Sequence, residues 1–286
     1  YKNNPYKVPP LIIDEINTFI PAKNPAFEFC EAVHYMAFEG KKPVGRITGI
    51  INHNLNKKTG KAEARFGFVD FVDDTRVSDA LFDAVEAWAR EKGMNRLVGP
   101  LGFTDMDPEG LLVEGYDQLG TMVTIYNYPY YVEHIERRGF TPECEWVEFK
   151  LTVPPTMSEK HARVAQIVRQ KYHLRSIVRE YTNIHKLARD YGRQIFELIN
   201  EAYKNLYGYS TLTPRQIDHY VKMYIPVVNL KHLSLVVNEK DELVGVGIAM
   251  PSMSRALQKA KGRLFPFGFI HLLKALKGKN DIVDLL

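Results

Sequence analysis

Residues 65–100 read RFGFVDFVDDTRVSDALFDAVEAWAREKGMNRLVGP, and the spacing of the apolar residues changes twice within them. The opening run, RFGFVDFV, is dense in aromatic and β-branched side chains, the composition of a half-buried strand. From about Ser78 to Lys92 the period lengthens. Leu81, Ala84, Val85 and Trp88 recur at i, i+3, i+4 and i+7, Ser78 or Asp79 is placed to cap the start, and Gly93 closes the end. NRLVGP then returns as a short apolar strand. A strand that enters a helix and comes back as a strand closes by a right-handed crossover, so the two strands lie in one sheet.

Upstream, Val33–Phe38 and Val44–Asn52 read as strands joined by the turn residues EGKKP, and HNLNKKTGKAEARFG is a polar excursion with KTG at its tip. Downstream, TMVTIY (121–126) reads as a strand and NYPYYVEHIERRGF as a short helix ending at Gly139. CEWVEFKLTV (144–153) alternates as a strand before PPT breaks the pattern. The segment 157–174 is a charged helix suited to linking two domains. RSIVREY (175–181) then reads as a new first strand, followed by helices over 184–206 and 213–225. Ile195, Leu198, Ile199 and Ala202 stripe the first of these, while Thr213 caps the second with Pro214 in its first turn. HLSLVVNEKDELVGVGIAMP is a hairpin turning at EKDE, and DIVDLL reads as a strand cut short.

With 286 residues the chain is long enough for two cores. No apolar run approaches the roughly 18–20 residues of a membrane-spanning helix, and no basic-then-apolar leader opens the chain at Tyr1. The expectation is a cytoplasmic protein whose own N-terminal elements lie outside this sequence. Cys30 and Cys144 stand apart from each other and from any His at ligand spacing, so both read as reduced thiols and no metal site is expected. Charge divides unevenly. Residues 1–150 hold 17 Lys+Arg against 23 Asp+Glu, a balance of −6, and residues 151–286 hold 21 against 11, a balance of +10. A basic half suits an anionic ligand, although opposite charge also helps two domains dock. No nucleic-acid reader motif accompanies the charge, so nucleic acid is not an expected partner.

VGRITGIINHNLN, FVDFVDDTRVSDALFDAVEAWAREKGM, GPLGF and YNYPYYVEHIERRGF together resemble the GNAT (GCN5-related N-acetyltransferase) superfamily of acyl-CoA N-acyltransferases, and more narrowly its bacterial tandem-domain members. The resemblance implies an α/β chain of two tandem GNAT-like domains, each a mixed, mostly antiparallel sheet flanked by helices. The first spans 1–155, a linker helix covers 156–174, and a second, truncated domain covers 175–286. It also implies acetyl-CoA or another acyl-CoA as co-substrate, a small-molecule primary amine as acceptor, and direct attack of the amine on the thioester. In that family a splayed strand leads into a loop whose amides hold the diphosphate at a helix N-terminus, where unpaired N–H groups and the helix dipole favour an anion. On this sequence the strand is Phe66–Val72 and the loop and first turn are Asp74–Ala80. Phe71, Val72, Arg76, Val77, Ser78, Asp79 and Ala80 thereby become cofactor-binding candidates, joined by Asn127 ahead of the next helix.

Two departures from the family pattern stand out. The loop carries no glycine and holds the carboxylates Asp73, Asp74 and Asp79, with Arg76 and Ser78 as compensating donors. The position four before Gly139, where the family commonly places the Tyr that protonates the departing thiolate, is Ile135; Tyr131 is the substitute candidate, and His134 reads as a solvated helix-face residue. For the base, the acidic loop GFTDMDPEGLLVEGYDQ offers Asp105, Asp107, Glu109 and Glu114, of which Glu114 is the candidate. Tyr203, Tyr207 and Tyr209 are candidates for an acceptor pocket. Residues 255–279 interleave Arg255, Lys259, Lys261, Arg263, Lys274, Lys277 and Lys279 with aromatic and aliphatic residues, which suits either a packed helical insertion or peripheral contact with an anionic membrane. The two functional readings are an acyl-CoA-dependent N-acyltransferase and a non-catalytic GNAT-fold module binding an acyl or anionic ligand.

Overall fold

The computed structural model describes Tyr1, residues 3–278 and residues 280–285. The chain is mixed α/β with two four-stranded sheets, and it divides into two compact units. Unit 1 comprises Tyr1–Cys144, Leu206–Ser210 and Ser252–Gly278; unit 2 comprises Glu145–Asn205, Thr211–Pro251 and Lys279–Leu286. These units are interleaved along the chain, whereas the sequence reading drew contiguous spans.

In unit 1 a helix α1 (Ile12–Thr18) precedes the hairpin β1 (Cys30–Glu39) and β2 (Lys42–Asn52). Asn52 then caps α2 (His53–Thr59) by accepting the Leu55 N–H, and Gly60, at φ 70°, ends it in the left-handed region where glycine is least strained. The expected polar excursion is therefore a helix, with Gly60 where the tip was expected. β3 (Glu63–Phe71), α3 (Thr75–Glu91) and β4 (Arg96–Val98) form the expected crossover, with sheet order β1-β2-β3-β4 and β4 parallel to β3. Helix α3 packs its apolar stripe on one sheet face: Leu81, Phe82 and Val85 join Ile47, Phe66 and Phe71 in the core, with Tyr131 and Ile135 of α4 (Tyr130–Arg137) closing it. On the opposite face Phe29, Cys30, Ile50 and Phe103 form a second cluster. Cys30 and Cys144 form no disulfide with each other.

Two strand expectations fail. Over 121–126 the Thr121 and Thr124 hydroxyls accept each other's backbone N–H at 3.2 and 2.8 Å, a local turn that displaces strand pairing. Residues 144–153 alternate as a strand should, yet they form no strand, and Val147, Phe149, Leu151 and Val153 are exposed.

Unit 2 carries α5 (Glu159–Lys171), β5 (Arg175–Ser176), α6 (Ile184–Tyr203), α7 (Pro214–Tyr224), and the hairpin β6 (Leu233–Val237) and β7 (Leu243–Pro251). The expected first strand over 175–181 is only two residues long. A 3-10 turn over Val178–Glu180 follows it, and Ile177 donates to the Leu235 carbonyl at 3.1 Å. Helix α7 has a reciprocal capping box between Thr213 and Gln216 with Pro214 at its start. Ile177, Leu187, Ile195, Leu235 and Val237 centre the core of this unit. In unit 1, α8 (Ser254–Ala260) and α9 (Gly268–Lys277) replace the single helical insertion expected over 255–279, of which Lys279 lies outside the described residues. In unit 2, β8 (Val283–Leu285) then pairs antiparallel with β7, so DIVDLL forms the expected strand, its Leu286 lying outside the described residues.

Candidate functional site at the open edge of the third strand

β3 and β4 stay paired only over Glu63–Arg65 and Arg96–Val98, extended by the Leu101 N–H donating to the Phe66 carbonyl at 2.8 Å. Gly67 permits that approach, because a Cβ there would lie 2.1 Å from the Leu101 oxygen. The next residue, Phe68, has φ 47°, and the β2–β3 register shifts between Arg46 and Thr48. This bulge bends β3, which continues along β2 through Phe71 without a partner from β4. Because Val72 N–H points to the Val44 carbonyl of β2, strand alternation turns the polar groups of Phe71 toward the open edge.

Both groups of Phe71 are engaged there by α4. Its N–H donates to Tyr131 Oη at 3.2 Å, and its carbonyl accepts from Tyr130 Oη at 2.6 Å. Tyr131 Oη also accepts from the Tyr1 hydroxyl at 3.0 Å and donates to Asp70 Oδ1 at 3.3 Å, so the hydroxyl is fully used. Burial, and then the neighbouring Asp70 charge, raise the Tyr131 pKa, which keeps the phenol protonated. Tyr131 is thus a buried, protonated phenol on the stretch of β3 that β4 leaves, where it and Tyr130 take up the polar groups of Phe71.

The first turn of α3 differs from the expected cradle. Its cap is Asp74, not Ser78 or Asp79: the Asp74 side chain accepts the Arg76 N–H at 2.9 Å, and its carbonyl accepts those of Val77 and Ser78 at 3.0 and 3.2 Å. The Arg76 guanidinium folds back on the Asp74 carboxylate at 2.6 Å, which holds that carboxyl below its usual range. Ser78 faces inward with no exposed surface; its Oγ lies 3.1 Å from the Thr75 carbonyl and 2.8 Å from His134 Nδ1. His134 Nε2 in turn lies 3.0 Å from Asp73 Oδ1. His134 is therefore buried, correcting the solvated reading, and the Asp73–His134–Ser78 chain fastens α3 to α4. Asp79 pairs with Arg137 and Arg138, Val77 is half-buried against the core, and Val72 and Ala80 are exposed.

Asn127 and Glu114 are placed elsewhere in unit 1. Asn127 clamps the Leu112 backbone, accepting its N–H at 2.7 Å and donating to its carbonyl at 3.1 Å. Glu114 sits exposed in the loop. Asp105, Asp107 and Glu109 of that loop turn inward around Arg65, which is almost fully buried and donates to the carbonyls of Gly102 at 3.1 Å and Gly208 at 2.9 Å. Asp107 accepts the Thr104 N–H, and Asp105 the Ser210 N–H. Burial pushes Asp107 up to about 6. Glu109 is raised by burial and then by the Asp105 charge, and Asp105 is itself raised by burial. The position directly after β4 was the only sequence signal for this group; an inward Arg65 was not foreseen, because arginines usually face solvent. Of the tyrosines proposed for an acceptor pocket, Tyr207 lines a cavity of about 210 Å³ with Leu55, Leu101 and Gly208, Tyr209 is buried, and Tyr203 is exposed at the end of α6.

No family model matches the chain. It is similar to Protein YghO of Escherichia coli, with 28% identity over 286 residues, 97% of this chain and 69% of that protein. It is also similar to the bacterial ceramide synthase of Caulobacter vibrioides, with 26% identity over 279 residues, 97% of this chain and 71% of that protein. Both relatives are bacterial.

Proposed function

We propose that the protein is a bacterial N-acyltransferase of GNAT type, joining an acyl group from a coenzyme A thioester to a primary amine at the open edge of β3. The observation that carries the reading is the bend at Phe68, which parts β3 from β4 and sets the protonated Tyr131 hydroxyl on the edge so opened. An extended ligand pairs there as a further strand would once Tyr130 and Tyr131 release the Phe71 carbonyl and N–H. The similarity to a ceramide synthase supports the acyl transfer and narrows it: a ceramide is a long-chain amino alcohol carrying a fatty acyl group in amide linkage, so a fatty acyl donor and an amphiphilic amine fit better than acetyl and a polar amine.

The thioester supplies an activated carbonyl. The amine nitrogen attacks that carbon, the C–S bond breaks, and the sulfur takes a proton from Tyr131 Oη, which recovers one from the amine nitrogen. Before that transfer the phenol hydrogen is donated to Asp70 Oδ1, so it must turn from Asp70, itself fixed by Arg46 at 2.7 Å, to the sulfur. Asp74 fits the diphosphate poorly, since its carboxylate occupies the Arg76 amide that an anion would use.

The full chain, incubated with palmitoyl-CoA or acetyl-CoA and a long-chain amino alcohol, is expected to release free thiol and form an amide seen by mass. Tyr131→Phe is expected to lower kcat at least about 100-fold with little change in KM, the share of a general acid. The Asp74 cap favours a second reading, a non-catalytic module that binds an acyl or anionic ligand. Thermal stabilisation by acyl-CoA without thiol release under any of these conditions would establish that reading over the first.

A further inference from the structure

In unit 1, α8 and α9 present two faces of opposite character. The inner face is anchored: Ala256, Leu257, Ala260 and Leu272 are buried, Ser254 Oγ donates to the Gly120 carbonyl at 2.9 Å, Gln258 donates to the carbonyls of Pro5 and Lys7, and Gly262 accepts the Ile12 N–H at 2.9 Å. The loop between the helices turns outward and exposes Phe265 by 78% and Phe267 by 70%, and Phe269, Ile270 and Leu273 continue the apolar surface along α9. Beside this surface lies a cavity of about 560 Å³, lined by Lys259, Lys261, Arg263, His271 and the two phenylalanines. Arg255, Lys274 and Lys277 are exposed on the same two helices. Residues 254–278 contain no Asp or Glu; on the adjoining α1, Asp14 is exposed and Glu15 is paired with Arg46.

We infer that this surface docks the protein on an anionic phospholipid bilayer, with Phe265 and Phe267 entering the interface and the lysines and arginines meeting lipid phosphates. Large apolar side chains held out in water beside cations are the pattern of an interfacial anchor, in which apolar insertion and charge attraction add. A second copy of the chain is a poor occupant, because a two-fold contact through this patch sets cation against cation. The cationic cavity beside the aromatic loop matches one phosphate-bearing headgroup, and the absence of acids leaves the cations uncompensated within the patch.

This inference rests on surface chemistry alone and stands apart from the acyl-transfer reading. The full chain is sedimented with vesicles of phosphatidylcholine alone and with vesicles containing about one third phosphatidylglycerol. Binding is expected only to the second, and raising the salt should weaken it. Lys259→Glu with Lys261→Glu should lower the partition coefficient by at least about 25-fold, about fivefold for each cation lost. Phe265→Ser with Phe267→Ser should lower it by a similar factor in a protein whose circular dichroism and melting are unchanged. Equal binding to both vesicle types, binding untouched by either pair of substitutions, or no binding to anionic vesicles would overturn the proposal. A concentration-dependent dimer in sedimentation velocity that Phe265→Ser abolishes, with no vesicle binding, would assign the patch to a second copy instead.

Discussion

Individual residues in the interior of unit 1 are held in states that their chemistry alone does not favour, and Asp107 is the clearest. Its carboxyl is lifted from an ordinary 3.8 to about 6 by burial. A folded value above the unfolded one means that the fold prefers the protonated form. That contribution is complete below about pH 4 and is lost as pH rises through about 6. Asn at this position keeps an acceptor for the Thr104 N–H and cannot ionise, so Asp107→Asn should flatten the fall in stability between about pH 4 and pH 7 by up to roughly 3 kcal/mol. Urea unfolding at the two pH values measures it; an unchanged slope would place the cost in the Asp105–Glu109 pair alone. Tyr131 gives a second test. Removing its hydroxyl leaves the Phe71 N–H and Asp70 Oδ1 without this partner, and Tyr131→Phe should destabilise the protein by about 1–3 kcal/mol, independently of its effect on turnover.

At the scale of elements, the β3–bulge–α3 passage sets the site, and Gly67 is the residue that lets Leu101 close against it. Gly67→Ala drives a Cβ into the Leu101 oxygen, a backbone atom that yields only if the chain after β4 moves, and should cost about 1–3 kcal/mol in thermal or chemical melts. The cap of α3 offers the complementary experiment. Asn caps as well as Asp but carries no charge, so Asp74→Asn should leave the melting temperature nearly unchanged and tighten acyl-CoA binding about two- to fivefold by calorimetry. The passage was legible in outline, because a strand period and a helix period each ran long enough to be unmistakable. Its cap was not. Asp73, Asp74, Ser78 and Asp79 are all competent caps by residue type, and the choice falls on Asp74 because β3 is still tied to β2 at Val72, two residues earlier. Tyr131 could be placed near the sheet from its helix, but its bond to the Phe71 amide depends on a bend that only the three-dimensional course of Phe68 shows. The alternation of 144–153 suits a strand and still gives none, because alternation reports a side-chain period and not a ladder of backbone hydrogen bonds.

At the scale of the whole molecule, the two compact units are assembled from interleaved segments, and unit 1 gathers β3, α3 and α4 together with the late helices α8 and α9. The candidate reaction site and the basic, aromatic surface therefore belong to the same compact unit, although more than a hundred residues of sequence separate α4 from α8. Among the described residues no helix is long and apolar enough to cross a membrane, and the attachment proposed for this unit is electrostatically tuned. That links the two proposals in one measurable consequence. An amphiphilic amine dissolved in anionic vesicles reaches the site only from protein on the vesicle surface, whereas a short, water-soluble amine reaches it from solution. Raising the salt from about 0.05 to about 0.5 M shortens the screening length from roughly 14 Å to 4 Å and weakens attraction between exposed lysines and lipid phosphates. Initial rates with the amphiphilic amine should then fall several-fold and rates with the soluble amine should stay level. Lys259→Glu with Lys261→Glu should reproduce the low-rate state at low salt. Equal salt sensitivity for the two amines would separate catalysis from the membrane surface and leave the patch without a part in substrate delivery.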